Sequence, residues 1–156
     1  MARFRYSMQS ILNIKLKMET QAKQEFSAAR AALDEEEERL KGLYDRKAGF
    51  EEAGAALLKG RLNLREIDEN KMAVLCMDHY IADQQVRVQK AEVVLEQARE
   101  RLTEVMMERK THETLKEKAF QQFLMDEKRQ EGKEIDELTS YTYGQKRKDG
   151  RSGVPA

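Results

Sequence analysis

Two stretches of this chain place apolar residues at alternating steps of three and four, and a glycine-containing break separates them. The first stretch runs Ala22, Phe26, Ala29, Leu33, Glu36, Leu40, Leu43, Lys47, Phe50, Gly54, Leu57, and eight of these eleven positions are apolar. The second runs Val74, Met77, Ile81, Gln84, Val88, Ala91, Leu95, Ala98, Leu102, Val105, Arg109, His112, with nine of twelve apolar. A sustained heptad of this kind is the edge of a helix that another helix must cover. The rest of the sequence agrees: 37% of residues are charged, 6% are aromatic, and the single proline is Pro155. Such a chain predicts long helices closed along a thin seam, because it lacks the apolar bulk for a thick core.

Between the two stretches lies GRLNLRE. Gly60 suits a helix stop, and Asn63 followed by Glu66 suits a capped helix start. Gly42, Gly49 and Gly54 precede the break, so the end of the first helix should be its softest part, each interior glycine costing about 1 kcal/mol relative to alanine. The predicted fold is therefore all-α. Residues 1–142 form an antiparallel coiled-coil hairpin, with helix 1 over about 7–59, a turn at about 60–63 and helix 2 over about 64–140. Residues 143–156 are expected as a disordered tail. At 1.5 Å per residue the helices would measure roughly 80 and 115 Å. A fold-back near residue 61 pairs residues whose numbers sum to about 123. Upstream, Ile11, Ile14 and Met18 would continue the first seam through a stutter at Met18, Ala22 and Phe26. The second helix outruns the first, so Phe120 to Leu138 should project as a mostly single helix, which is marginal in water and reads as a binding element.

Charge narrows the function. The 29 basic and 29 acidic side chains cancel, against general nucleic-acid binding, which needs a cationic excess. The acidic run at Asp34–Glu38 and the basic run at Lys146–Lys148 read as solvated helix surface and a chain end. Cys76 is the only cysteine, so no intrachain disulfide forms, as befits a reducing compartment. No segment approaches the roughly 18 apolar residues of a membrane span. No catalytic constellation, phosphate loop, cofactor motif or metal site is readable. Cys76 and His79 share a helical face but lack the second pair of ligands that a structural zinc site requires. The expectation is a non-enzymatic protein that acts through its surfaces.

Those surfaces should be the apolar residues off the seam. One group comprises Phe4, Tyr6 and Leu12 with Phe120 and Phe123; another comprises Tyr44, Phe50, Leu58, Leu64 and Tyr80. The opening MARFRYSMQSILNIKLKM is amphipathic and holds no acidic residue before Glu19. Its apolar pattern runs into the following helix, so it reads as part of the fold rather than as a targeting peptide.

At both ends the chain resembles a known family. Phe4, Tyr6, Gln9, Ile11 and Leu12 at the start are similar to the opening of the flagellar export protein FliJ. RKTHETLKEKAFQQFLMDEKRQEGKEIDEL resembles that family's C-terminal signature through Arg109, Glu113, Leu115, Lys116, Glu117, Phe120, Glu127, Lys133, Asp136, Glu137 and Leu138. The resemblance implies a soluble, cytoplasmic component of the flagellar type III export apparatus, similar to the central stalk of rotary ATPases and peripheral to the membrane-bound machine. It implies three kinds of partner: the export ATPase FliI, the export gate protein FlhA and export chaperones. The ATPase-facing residues would be Arg3, Arg5, Tyr6, Gln9, Leu12, Lys15, Phe120 and Phe123. The gate-facing residues would be Leu43, Arg46, Phe50, Met77, Tyr80 and Gln84. The free chain would be a monomer. Two other readings share the helical pattern: a parallel homodimeric scaffold, which would need helices continuous through Gly60, and the equivalent stalk of a virulence type III secretion system.

Overall fold

A computed structural model describes residues 2–151, with side chains described through residue 148. It contains two helices, α1 (Gln9–Leu57) and α2 (Leu64–Arg151), and no strand among the described residues. The connection forms as its residues dictate. The last turn of α1 tightens through Leu58 N–H to the Ala55 carbonyl and Lys59 N–H to the Ala56 carbonyl, and Gly60 then takes φ 81°, open to glycine at no steric cost. Asn63 caps α2: its Oδ1 accepts from the amides of Arg65 and Glu66 at 3.1 and 3.5 Å. The acidic Glu66 sits in that first turn, where the helix dipole favours negative charge.

The second helix runs to Arg151 rather than ending near residue 140. Residues 143–151, expected within the disordered tail, are helical. Gln145, Lys146, Arg147 and Lys148 are good helix formers, and no proline interrupts them. Residues 152–156 of that expected tail lie outside the described residues.

The chain divides into two compact units, one of residues 16–107 and one of residues 1–15 with 108–156. In the first, Ala29, Leu33, Val88 and Leu95 form the core, with Phe26, Leu40, Ala91 and Ala98 packed against it. Every seam position read from the sequence within this unit is buried or half-buried. Its polar seam positions are satisfied locally. Gln84, 6% exposed, donates to both the carbonyl and the carboxylate of Glu36. Lys47 pairs with Asp78 at 2.6 Å, and Asp78's hydrogen bond and charge hold the ammonium above its usual value of 10.5.

At the start of α1 the structure departs from the apolar pattern. Ile11 and Ile14 are exposed, Leu12 is 3% exposed and Lys15 half-buried, while Glu19 and Ala22 are buried. The inward positions therefore step back from Phe26 and Ala29 by sevens, and the expected stutter is absent. An uninterrupted heptad avoids local unwinding of the pair. Lys15 and Glu19 tolerate inward placement because their charged ends find partners, Glu108 at 2.8 Å and Lys23 at 3.5 Å.

In the second unit, residues 2–8 precede the helix and carry Phe4, whose ring lies 5.2 Å from that of Phe120 and 5.4 Å from that of Phe123. Leu12 is buried, Lys15 pairs with Glu108 at 2.8 Å, and Arg109 pairs with Glu113 at 2.7 Å. From Lys128 to Lys148 every side chain is exposed, so the single helix begins at about Lys128 rather than at Phe120, because Phe120 and Phe123 are covered by Phe4.

The glycines of α1 are not equivalent. A methyl at Gly42 or Gly49 would meet nothing, whereas one at Gly54 would collide with the Asn70 amide. That amide donates to the Phe50 carbonyl at 2.9 Å. Gly42→Ala and Gly49→Ala are each expected to stabilise the protein by about 0.5–1 kcal/mol through helix propensity. In Gly54→Ala the same gain is offset by displacing Asn70 and its bond, worth about 1 kcal/mol. Urea unfolding followed by circular dichroism would separate the two outcomes.

Candidate functional site

The residues singled out by sequence fall into two groups, each inside one compact unit. The terminal group lies wholly in the unit of residues 1–15 and 108–156. Arg3 and Arg5 are exposed, Tyr6 and Gln9 are half-buried, and Phe120 and Phe123 are half-buried under Phe4. Phe4 is thus the centre of this cluster, in an edge-on contact with Phe120 that suits the ring quadrupoles. Two of the expected contact residues have other work. Leu12 is core, and Lys15 spends its charge on Glu108. Gln9 donates through Nε2 to Asn13 Oδ1 at 2.9 Å.

Sequence reasoning missed part of the surface here. Met8, Ile11 and Ile14 are 40%, 39% and 55% exposed, because the inward face of α1 is rotated by one residue from the one expected. Their step of three marks them as one face, beside Arg3 and Arg5 in the sequence. The Tyr6 hydroxyl and His112 Nδ1 are buried and have no hydrogen-bond partner among the described residues. Buried polar atoms are rarely left this way in a finished fold.

The second group lies in the unit of residues 16–107. Five of its six predicted members, Leu43, Arg46, Met77, Tyr80 and Gln84, line one groove of about 490 Å³ between α1 and α2. Asp83 and Arg87 complete it; both lie within a turn or two of Tyr80 on the same side of α2, the signal that would have found them. Met77 and Gln84 form the buried floor, and Tyr80 is 54% exposed at the rim. Phe50 stands apart from this lining and sits half-buried two steps along the seam from Leu43, where its carbonyl receives Asn70. The groove has a floor of one thioether and one amide side chain, with Leu43, two guanidinium groups and one carboxylate around it. That arrangement suits a partner side chain with an apolar body and an acidic end.

Cys76 is exposed and unbonded. Among the described residues no cluster of three or more His, Cys, Asp or Glu side chains is placed to hold a metal ion, and no helix is long and apolar enough to cross a membrane.

The family model described as flagellar FliJ protein matches residues 4–148. Among solved structures, the chain is similar to a putative YscO homologue, CT670, from Chlamydia trachomatis. The TM-score is 0.65 at 21% identity, over 94% of this chain and 99% of that one. No curated protein matches it significantly. At that identity the structural likeness speaks to the fold.

Proposed function

We propose, since the chain belongs to the flagellar FliJ protein family, that it is the stalk of a type III export machine, acting on the export ATPase through its terminal unit. The observation that carries this reading is the convergence of residues 3–15 and 108–123 on one compact unit, closed by Phe4 against Phe120 and Phe123. That unit offers what a ring-shaped partner can grip: exposed Arg3 and Arg5, the apolar face of Met8, Ile11 and Ile14, and a helix whose side chains are exposed from Lys128 to Lys148. Tyr6 and His112, each with a buried unsatisfied atom, would complete their hydrogen bonding in the complex. In this reading Tyr6, Gln9, Phe120 and Phe123 form the contact together with these residues, while Leu12 and Lys15 act from behind by fixing the helix that presents them.

The stalk would stimulate ATP hydrolysis by FliI, and the groove of Leu43, Arg46, Met77, Tyr80 and Gln84, with Phe50 beside it, would receive FlhA at the cytoplasmic face of the export apparatus. Export chaperones are a third class of partner. The protein contributes surfaces and no reacting groups of its own.

The test is ATP hydrolysis by the cognate export ATPase, titrated with the full chain and with a chain lacking residues 1–16. Stimulation by the full chain that disappears on truncation supports the stalk reading and its orientation. Equal stimulation by both forms moves the contact away from the terminal unit, and absence of stimulation by either rejects the stalk role.

A further inference from the structure

The helix α2 carries a second stripe on the face turned away from its seam. Met72, Leu75, Ala82, Val86 and Val93 recur at heptad spacing, with His79 and Gln89 filling the intervening places. None of the seven is a seam position, and all are exposed: Met72 by 60%, Leu75 by 59%, Val86 by 48% and Val93 by 57%. Scattered exposed valines would need no comment. A three-heptad run with apolar residues in step is different, because that period fits only another helix.

The charges flanking the stripe say which helix. If a second copy of α2 lies antiparallel across it with Leu75 opposite Val86 and His79 opposite Ala82, the flanking positions bring Lys71 against Glu92 and Glu69 against Lys90. Two-fold symmetry makes four opposite-charge pairs. The remaining flanks, Asp78 with Gln85 and Cys76 with Asp83, create no like-charge contact. Sliding one heptad in one direction sets Lys71 against Arg99 and Asp78 against Glu92; sliding in the other sets Glu69 against Asp83 and Asp78 against its own copy. Parallel pairing brings Asp78 beside Asp83. Of these antiparallel registers only the first is free of repulsion, and it closes on itself by two-fold symmetry, the way coiled coils select partner and orientation.

We propose that this outer stripe of α2 is an isologous interface through which two copies of the chain associate antiparallel, centred between His79 and Ala82. This revises the monomer expected from sequence. The association is weak and salt-sensitive, since three heptads bury little area and the selecting charges stay at the rim. It is independent of the stalk reading, because every residue it uses lies between 69 and 93, in the unit that does not contain the terminal contact.

Sedimentation equilibrium of the full chain tests it. The expected result is a mass that rises from 18.2 kDa towards twice that value across the micromolar range. Lys71→Glu or Glu92→Lys alone should weaken association ~10-fold by replacing two attractive pairs with two repulsive ones. The double variant should restore it, because the swapped charges again face each other. Val86→Glu, at an exposed site, should abolish association with helical content unchanged by circular dichroism. A chain monomeric throughout that range overturns the proposal. So does a dimer that the single charge reversals leave intact, or one that the double reversal fails to rescue, as a heterologous contact would give.

Discussion

A chain carrying Leu95→Ala is expected to lose about 2–3 kcal/mol of unfolding free energy, read as a lower urea midpoint with the slope unchanged. Leu95 is 6% exposed and sits in the four-residue core with Ala29, Leu33 and Val88. A two-helix seam has one layer of side chains, so the neighbours have few ways to close over the missing atoms. Water can reach part of the void, which places the cost in the lower half of the usual range for such truncations. The next residue supplies the control. Val94 is 54% exposed, and Val94→Ala exchanges a β-branched side chain for the best helix former, so the change should stay within about 0.5 kcal/mol. Equal losses at the two positions would mean that the helices do not meet along the seam described.

Phe4→Ala should release the segment before α1. The ring contacts with Phe120 and Phe123 are the packing observed for this segment, and each aromatic pair contributes about 0.5–1.5 kcal/mol beyond its buried area. Losing both shifts the local docked-to-free ratio by at least ~10-fold. Amide hydrogen exchange would register this as lost protection at Gln9, Ile11 and Leu12, whose N–H groups bond to the Tyr6 and Met8 carbonyls, with the amides around Leu33 and Leu95 unchanged. If the stalk reading is right, ATPase stimulation falls in parallel. Protection lost evenly along the chain would show that Phe4 supports the whole fold and not this segment.

The sequence made the architecture readable because one requirement repeats at every turn: a residue on the seam must be covered. From Ala22 to Leu57 and from Val74 to Val105 the pattern left one rotation open to each helix, and the burial follows it. Gln84 and Lys47 fitted despite their polarity, since Glu36 and Asp78 stand opposite. Lys15–Glu108 falls on the predicted sum, and Lys47–Asp78, Gln84–Glu36 and Arg101–Glu25 fall within one turn of it. At the start of α1 the pattern was ambiguous. Ile11, Ile14 and Met18 offered an apolar frame one residue away from Leu12, Lys15 and Glu19. Hydrophobicity favoured the first, and continuity with the long helix favoured the second. The end of α2 was misjudged for the opposite reason, since nothing there is buried and propensity alone sustains the helix.

Sites were less legible than fold. Periodicity names the residues that face inward but does not tell a groove from a closed seam. Leu43, Met77 and Gln84 satisfy both descriptions, and it is the side chains of Tyr80, Asp83 and Arg87 that make a groove there.

The contacts that join α1 to α2 range widely in the length of chain they enclose. Asn70 reaches Phe50 across 20 residues, Gln84 reaches Glu36 across 48, and Lys15 reaches Glu108 across 93. Each step closes a longer loop than the one before, but once the turn at Gly60 has formed, each needs only the next few residues to come together. Assembly from the turn outward avoids the entropy of closing a long loop in one event. During synthesis, the first fifteen residues must then wait for the ribosome to deliver residue 108 and beyond. Throughout that interval Phe4 and Leu12, covered in the finished fold, have nothing of their own chain to rest on. The end of the molecule that holds the Phe4 cluster is also the last to be completed.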